Sequence, residues 1–168
     1  MHGDASPTRR PAPRMLRARL PGGGNFAERR GFSNMVDTLN LDIEITPLVV
    51  LVAEDELLVR MLAVDALTEE GFVTIEAGTA TEALALCKAR PEAVDVLFTD
   101  IRMPGSMDGL ELAHKVRERW PWIIILIASG NIFLSREELP DRAKFFPKPY
   151  DMRRVIGTMR ELAAAPTH

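Results

Sequence analysis

Reactive side chains stand directly after short apolar runs of this sequence. Glu54 and Asp55 follow the first run, Asp100 the third, Ser129 the fourth and Lys148 the fifth. Three carboxylates brought within a few ångströms repel one another, so each pKa rises unless cations share the site. Lys148 supplies one positive charge and a divalent ion supplies two, which together balance the three negative charges. All-oxygen ligation of this kind suits Mg²⁺, which also bridges to phosphate oxygens.

Asp100 stands alone after its run, and its carboxylate is therefore the candidate nucleophile. Attack of a carboxylate on phosphorus gives an aspartyl phosphate. The metal and Lys148 would neutralise charge on the transferring phosphoryl group, and the Ser129 hydroxyl would hydrogen-bond one of its oxygens. Each residue has an ordinary explanation as a turn residue or a solvated charge. The functional interpretation depends on all of them reaching one edge of one sheet.

Apolar runs and helical periods alternate between these residues. We predict strands at 48–53, 72–77, 94–99, 123–128 and 143–146, and helices at 56–70, from 79 onward, at 108–120 and at 151–162. This order predicts the α/β class, with a doubly wound, five-stranded parallel sheet that binds ligands beyond the carboxyl ends of its strands. In the first helix Leu58, Met61, Leu62 and Leu67 recur at helical spacing, and we assign this stripe to the core.

The motifs at the strand ends resemble those of the receiver domain of two-component signalling. They read VVLVAEDE at 49–56, FTDIRMP at 98–104, MDGLEL at 107–112, ASG at 128–130 and PKPY at 147–150. The resemblance covers residues 47–163 and implies the flavodoxin-like strand order 2-1-3-4-5. It implies Asp100 as phosphoacceptor, Glu54 and Asp55 as the acidic pair, and Mg²⁺ ligation by Asp55, Asp100 and the backbone carbonyl of Arg102. It also implies Ser129 as the switch hydroxyl, Lys148 as the phosphate-contacting lysine, Phe145 as the aromatic switch and a cis Lys148–Pro149 bond.

Three departures from the family pattern stand out. Gly105 and Ser106 make the loop after the phosphoacceptor one residue longer than usual. The segment between Ser129 and Lys148 is short, so we expect a short or irregular fourth helix there. The Arg102 side chain either folds over the acyl phosphate, which would change its lifetime, or points to solvent.

Composition limits the remaining choices. The 168 residues suit one domain with extra chain, and the single cysteine, Cys87, excludes an intrachain disulfide or thiolate cluster. Residues 1–46 hold seven arginines against five acidic residues, whereas 47–168 hold 14 basic against 19 acidic residues. An acidic body argues against direct nucleic-acid binding. No apolar run reaches 18 residues, so we expect no membrane span and a cytoplasmic protein.

The front of the chain, 1–46, is predicted to be a disordered extension or translated sequence ahead of a true start at Met15 or Met35, and 164–168 a short tail. We expect a stand-alone receiver, phosphorylated by a histidine kinase or phosphotransfer protein, that switches a downstream protein partner and is compatible with a homodimer. The alternatives are a phosphate shuttle or sink, a degenerate receiver that interacts constitutively, and a Mg²⁺-dependent phosphohydrolase. We expect no enzyme activity beyond self-phosphorylation and self-dephosphorylation.

Overall fold

The structure is a computed structural model that describes Arg17–Ala18, Ile43–Glu44, and residues 46–130 and 134–165. The two short strands pair with each other in antiparallel register, with Arg17 opposite Glu44. Apart from these four residues and Thr46, the predicted extension at 1–46 lies outside the described residues, as does most of the predicted tail, so both stay predictions. No helix among the described residues is long and apolar enough to cross a membrane.

Five parallel strands form the main sheet. They are β1 (Val49–Ala53), β2 (Val73–Ala77), β3 (Val96–Asp100), β4 (Ile124–Ser129) and β5 (Lys144–Pro147). The helices are α1 (Leu57–Glu69), α2 (Ala80–Ala89), α3 (Gly109–Arg119) and α4 (Met152–Ala164). The strand order β2-β1-β3-β4-β5 confirms the predicted fold class and topology.

The sheet is covered on both faces, which explains its continuous apolar runs. Every residue of β1 and β3 is buried. One core lies under α2 and α3 and includes Leu84 and Leu112, and the other lies under α1 and α4 and includes Leu67 and Met159. Helices on both faces leave the carboxyl edge of the strands open for side chains from the loops.

Side-chain caps begin three of the helices at that edge. The Thr79 hydroxyl accepts from the backbone N–H of Glu82 at 3.1 Å, as the sequence order predicts, and Asp108 caps α3 through the N–H of Glu111 at 2.8 Å. Asp151 caps α4 in the same manner. Each cap satisfies a backbone N–H that has no partner within its helix. The loops that enter these helices are thereby fixed beside the strand ends.

The assignment of the α1 stripe to the core is wrong for three of its four residues. Leu58 is 74% exposed, Leu62 is 70% exposed and Met61 is 47% exposed, whereas Leu67 is buried. The inward face instead follows Arg60, Ala63 and Leu67, which also recur at helical spacing. Arg60 fixes this rotation of α1, because its guanidinium donates to the Glu54 carbonyl and to Glu76 on β2. Leu57, Leu58, Met61 and Leu62 therefore form an exposed surface that we call the α1 apolar face.

The segment before β5 is irregular, as predicted. Its described part, residues 134–143, contains no helix. Ser135 and Glu138 close a turn in which Oε2 of Glu138 accepts from both the N–H and the hydroxyl of Ser135, each at 2.8 Å. This is a capping-box hydrogen bond, but Pro140 follows two residues later and cannot continue a helix, so the described segment forms only a turn before β5.

Candidate functional site

The carboxyl edge of the sheet brings the three predicted acidic residues together. One carboxylate oxygen from each of Glu54, Asp55 and Asp100 lies within 4.8 Å of the other two. Glu54 follows β1 and is 5% exposed, and Asp100 is the last residue of β3 and is 7% exposed, whereas Asp55 is exposed. The prediction placed Asp100 and Ser129 just after their strands. Both instead end a strand, because Asp100 pairs with Ala128 and Ser129 with Pro147 in the sheet.

Lys148 forms hydrogen bonds with both buried carboxylates. Its Nζ donates to Oε2 of Glu54 at 2.8 Å and to Oδ2 of Asp100 at 3.0 Å. The backbone N–H of Lys148 donates to the carbonyl of Ser129 at 2.8 Å, which fixes the lysine to the end of β4. The Lys148–Pro149 peptide bond is cis, as the resemblance implies.

Burial and charge shift the pKa of two side chains of this site, Glu54 and Lys148. Burial raises the pKa of Glu54 and the Asp100 charge raises it further, against the hydrogen bond from Lys148. Burial lowers the pKa of Lys148, but its hydrogen bonds and charge interactions with Glu54 and Asp100 outweigh that effect and raise it to about 12. Lys148 therefore stays protonated at neutral pH. With all three carboxylates ionised, the cluster and Lys148 carry two excess negative charges, which a divalent cation would neutralise.

The donor set fits Mg²⁺. Carboxylate oxygens are the hard ligands this ion prefers, and exposed Asp55 leaves one side open for water or phosphate. An open cavity of about 450 Å³ lies beside Asp55 and is lined by Arg102, Pro104 and Asp108. Arg102 is exposed there, and the ligand role of its carbonyl stays a prediction. Gly105 has a φ of 124°, a conformation that favours glycine, so the longer loop depends on it.

The Asp100 and Ser129 side chains are held differently. Oδ1 of Asp100 accepts from the backbone N–H of Ile101 at 2.8 Å, and Oδ2 accepts from Lys148. Both carboxylate oxygens are therefore held in place. Ser129 is 1% exposed, and its hydroxyl has no hydrogen-bond partner among the described residues. A buried hydroxyl without a partner costs about 1–3 kcal/mol. It is therefore ready to donate to an oxygen atom that enters the site.

Phe145, the predicted aromatic switch, lies on β5 opposite Ile127 of β4. It is half-buried and packs against the core under α2 and α3. The structure thus places Phe145 on the strand that leads to Lys148. Its switching role stays a prediction.

Two residues that support the site were missed from the sequence. A Cβ at Gly109 would lie 1.7 Å from the Asp100 carbonyl oxygen and 2.7 Å from Oγ1 of Thr99, so α3 reaches β3 this closely only with glycine there. The signal was the glycine directly after the helix cap Asp108. Arg60 was also missed, because its contacts with the Glu54 carbonyl and Glu76 join α1 to the ends of two different strands, which no local spacing indicates.

Comparison with known proteins gives a consistent result. Residues 50–160 match the family described as the response regulator receiver domain. The sensor kinase CckA of Brucella abortus is 36% identical over 116 residues, which are 67% of this chain and 12% of that protein. PdtaR, a transcriptional regulatory protein of Mycobacterium tuberculosis, is 32% identical over 69% of this chain and 56% of its own length. The chain thus spans well under two thirds of these curated relatives.

Solved structures agree. A response regulator receiver protein from Sinorhizobium medicae superposes with a TM-score of 0.65 at 27% identity, covering 71% of this chain and 96% of that one. The receiver domain of the hybrid histidine kinase CckA gives a TM-score of 0.59 at 28% identity, covering 68% and 98%.

Proposed function

This chain belongs to the response regulator receiver family, and from that premise we propose that it is phosphorylated on Asp100 in a Mg²⁺-dependent reaction and that the phosphorylated form changes its affinity for a protein partner. The observation that carries the proposal is the position of Lys148. Its Nζ bridges Glu54 and Asp100 at the same edge where the Ser129 hydroxyl is buried without a partner among the described residues. One nucleophile, one cation and one free donor thus meet at a single strand edge.

These groups divide the chemistry of phosphoryl transfer between them. A carboxylate oxygen of Asp100 attacks phosphorus, and the P–N bond of a phosphohistidine donor breaks, with the electron pair and then a proton going to the leaving imidazole nitrogen. Lys148 moves from its carboxylate partners to a phosphoryl oxygen, and Ser129 donates to another. Receiver domains bind Mg²⁺ at an acidic pocket, and here Asp55 and Asp100 would hold the ion, with Glu54 beside them. When bound, the ion neutralises charge on the phosphoryl oxygens.

The surface beside the site supports a protein as donor or target. Receiver domains interact with histidine kinases or phosphotransfer proteins. Here the α1 apolar face begins three residues after Glu54, and Leu62 also lines an open cavity of about 580 Å³ together with Lys148 and Tyr150. Exposed apolar surface next to a reactive group is typical of a protein contact. A docked partner would reach Asp100 from this side.

The proposal is tested with acetyl phosphate as a small donor. Purified protein is incubated with acetyl phosphate in Mg²⁺ or in EDTA, and its intact mass is followed before and after treatment with neutral hydroxylamine. We expect one phosphoryl group per chain in Mg²⁺, little in EDTA, and its loss in hydroxylamine, which cleaves acyl phosphates and leaves phosphate esters intact. An adduct that resists hydroxylamine, or no adduct in Mg²⁺, would contradict the proposal. The second result would favour a receiver that interacts constitutively.

A further inference from the structure

A small cavity with three polar side chains in its lining lies at the opposite edge of the sheet from Asp100. It has a volume of about 40 Å³ and lies where α3 ends, where β4 and β5 begin and where α4 ends. One water molecule needs about 10–15 Å³ measured in this way, so the cavity has room for a group of several atoms. Its polar lining comes from Arg117, Trp122 and Arg142, and its remaining walls are apolar side chains and Pro121.

Two hydrogen-bond donors at this cavity have no acceptor among the residues that the structure describes. Nε of Arg117 and Nε1 of Trp122 are both buried and unpartnered within the described part of the chain. Arg117 is anchored at the wall of the same cavity, because its Nη1 donates to the carbonyl of Pro121 at 2.5 Å. Leaving such a donor unpaired costs about 1–3 kcal/mol, and more when it is charged. An acceptor in the cavity, reached by a small rotation of each side chain, would remove that cost.

The positive charge at the cavity is only partly compensated. Arg117 and Arg142 form no ion pair within 4.0 Å with any residue that the structure describes. Burial lowers the pKa of Arg117, and the charge of Arg142 lowers it further, with partial compensation from exposed Asp141. Two arginines thus line one cavity, and neither has an ion-pair partner within 4.0 Å among the described residues.

The backbone at Arg142 is held in an unfavourable conformation. Its φ is 62°, in the left-handed region, where a residue with a side chain costs about 1–2 kcal/mol relative to its usual conformation. Glycine would avoid this cost, and a binding role of the arginine side chain would account for its presence at this position. Strain of this kind clusters at binding sites.

We propose that Arg117, Trp122 and Arg142 form a binding site for a compact tetrahedral oxyanion of the inorganic phosphate class, separate from the phosphorylation site. Arginine suits such a ligand because its planar guanidinium donates several hydrogen bonds to phosphate oxygens. The indole N–H adds one directed donor, and exposed Pro121 and Arg142 leave the site accessible to an anion from solvent. The site connects the end of α3 to the strand that leads to Lys148, since Arg142 directly precedes Ala143 and β5.

The test follows the Trp122 indole N–H during a titration with inorganic phosphate. Proton–nitrogen NMR spectra are recorded on the full chain at constant ionic strength, with sodium chloride as the balancing salt. We expect a saturable shift of the Trp122 signal and none of the Trp120 signal, which is assigned with Trp120→Phe. Arg117→Gln should weaken phosphate binding about tenfold or more, because a charged hydrogen bond is lost. Arg119→Gln, which removes an exposed arginine two residues along α3, is the matched control and should bind normally.

A second variant separates a binding role from a structural one. Arg142→Gly should raise the thermal midpoint, because the strain is released, and at the same time abolish the saturable shift. Asp100→Asn should leave the shift unchanged, so failure of this site and failure of the phosphorylation proposal are distinguishable. A Trp122 signal that does not saturate with phosphate, that moves equally with sodium chloride alone, or that still saturates normally in Arg117→Gln would overturn the inference. A shift that disappears in Asp100→Asn would overturn it too, since the anion would then act through the phosphorylation site.

Discussion

Replacing Asp100 with asparagine should stabilise the protein without Mg²⁺ and destabilise it, relative to wild type, when Mg²⁺ is saturating. At an effective dielectric constant near 20, a charge within 4.8 Å repels Asp100 by at least about 3.5 kcal/mol, so Glu54 and Asp55 together contribute about 7 kcal/mol or more before screening by water. Lys148 at 3.0 Å attracts it by about 5.5 kcal/mol on the same scale. Water screens part of the repulsion from exposed Asp55, so these terms nearly cancel.

The cost of desolvation then decides whether Asp100→Asn stabilises or destabilises the protein. Asp100 is 7% exposed, and removing a charged carboxylate from water costs more free energy than removing a neutral amide. The amide oxygen of asparagine can still accept from the N–H of Ile101, so the loop keeps its anchor. We expect the free energy of unfolding of Asp100→Asn in EDTA to exceed that of wild type by about 1 kcal/mol. Saturation at a hundred times the dissociation constant would stabilise wild type by about 2.7 kcal/mol. The variant has lost one ligand, and the order reverses because we expect Mg²⁺ to stabilise it by less than about 1.7 kcal/mol.

Urea unfolding followed by circular dichroism, in EDTA and in excess Mg²⁺, measures both differences. Asp65→Asn on the exposed side of α1 is the matched control and should change the stability by less than about 0.5 kcal/mol in either condition. Equal stabilisation of wild type and Asp100→Asn by Mg²⁺ would refute the assignment of Asp100 to the metal site. A loss of stability in EDTA would refute the charge balance.

Four further predictions concern single residues. Gly109→Ala should lower stability by more than about 2 kcal/mol in urea unfolding and slow phosphorylation by acetyl phosphate, because its Cβ displaces the Asp100 carbonyl. Leu58→Ala should change stability by under about 0.5 kcal/mol, whereas Leu67→Ala on the same helix should cost about 2–5 kcal/mol. Burial raises the pKa of Cys87 from 9.0 to about 11, so the neutral thiol contributes to stability fully below pH 9, and this contribution is lost between pH 9 and pH 11. The effect is about 3 kcal/mol, and Cys87→Ala should remove it from the pH profile of the free energy of unfolding. Arg102→Asn should change the lifetime of the phosphorylated form in an autodephosphorylation assay, since Arg102 lines the open cavity beside Asp55.

Each of these has a result that would count against it. Unimpaired stability of Gly109→Ala would mean that α3 can move away from β3 without cost. Equal losses of stability in Leu58→Ala and Leu67→Ala would mean that the α1 apolar face is buried in the core. A pH profile shared by wild type and Cys87→Ala would remove the thiol as its cause, and an unchanged lifetime in Arg102→Asn would place that side chain in solvent.

The sheet and its reactive edge were predictable because they depend on local patterns. Continuous apolar runs predicted buried parallel strands, and parallel strands must deliver their carboxyl ends to one edge, so Glu54, Asp100, Ser129 and Lys148 were expected to meet. The cap at Thr79 was likewise predictable, because it forms within the four residues 79–82. The resemblance added the roles of these residues, which the strand pattern alone does not supply.

The rotation of α1 was not predictable from spacing, because two of its faces satisfy the helical period. The choice between them depends on Arg60, whose partners Glu54 and Glu76 come from different loops and strands. The need for Gly109 depends on an approach of α3 to the Asp100 carbonyl that no local pattern encodes. The cavity at Arg117 and Arg142 was missed for the same reason, since three separate chain segments meet there.

The most direct measurement is the intact mass of wild type and Asp100→Asn after incubation with acetyl phosphate and Mg²⁺, with Asp65→Asn as the matched carboxylate control. The account predicts one phosphoryl group on wild type and on Asp65→Asn, and none on Asp100→Asn, although that variant folds and is at least as stable in EDTA. An equal adduct on Asp100→Asn would contradict it, because the phosphoryl group would then be carried by another residue.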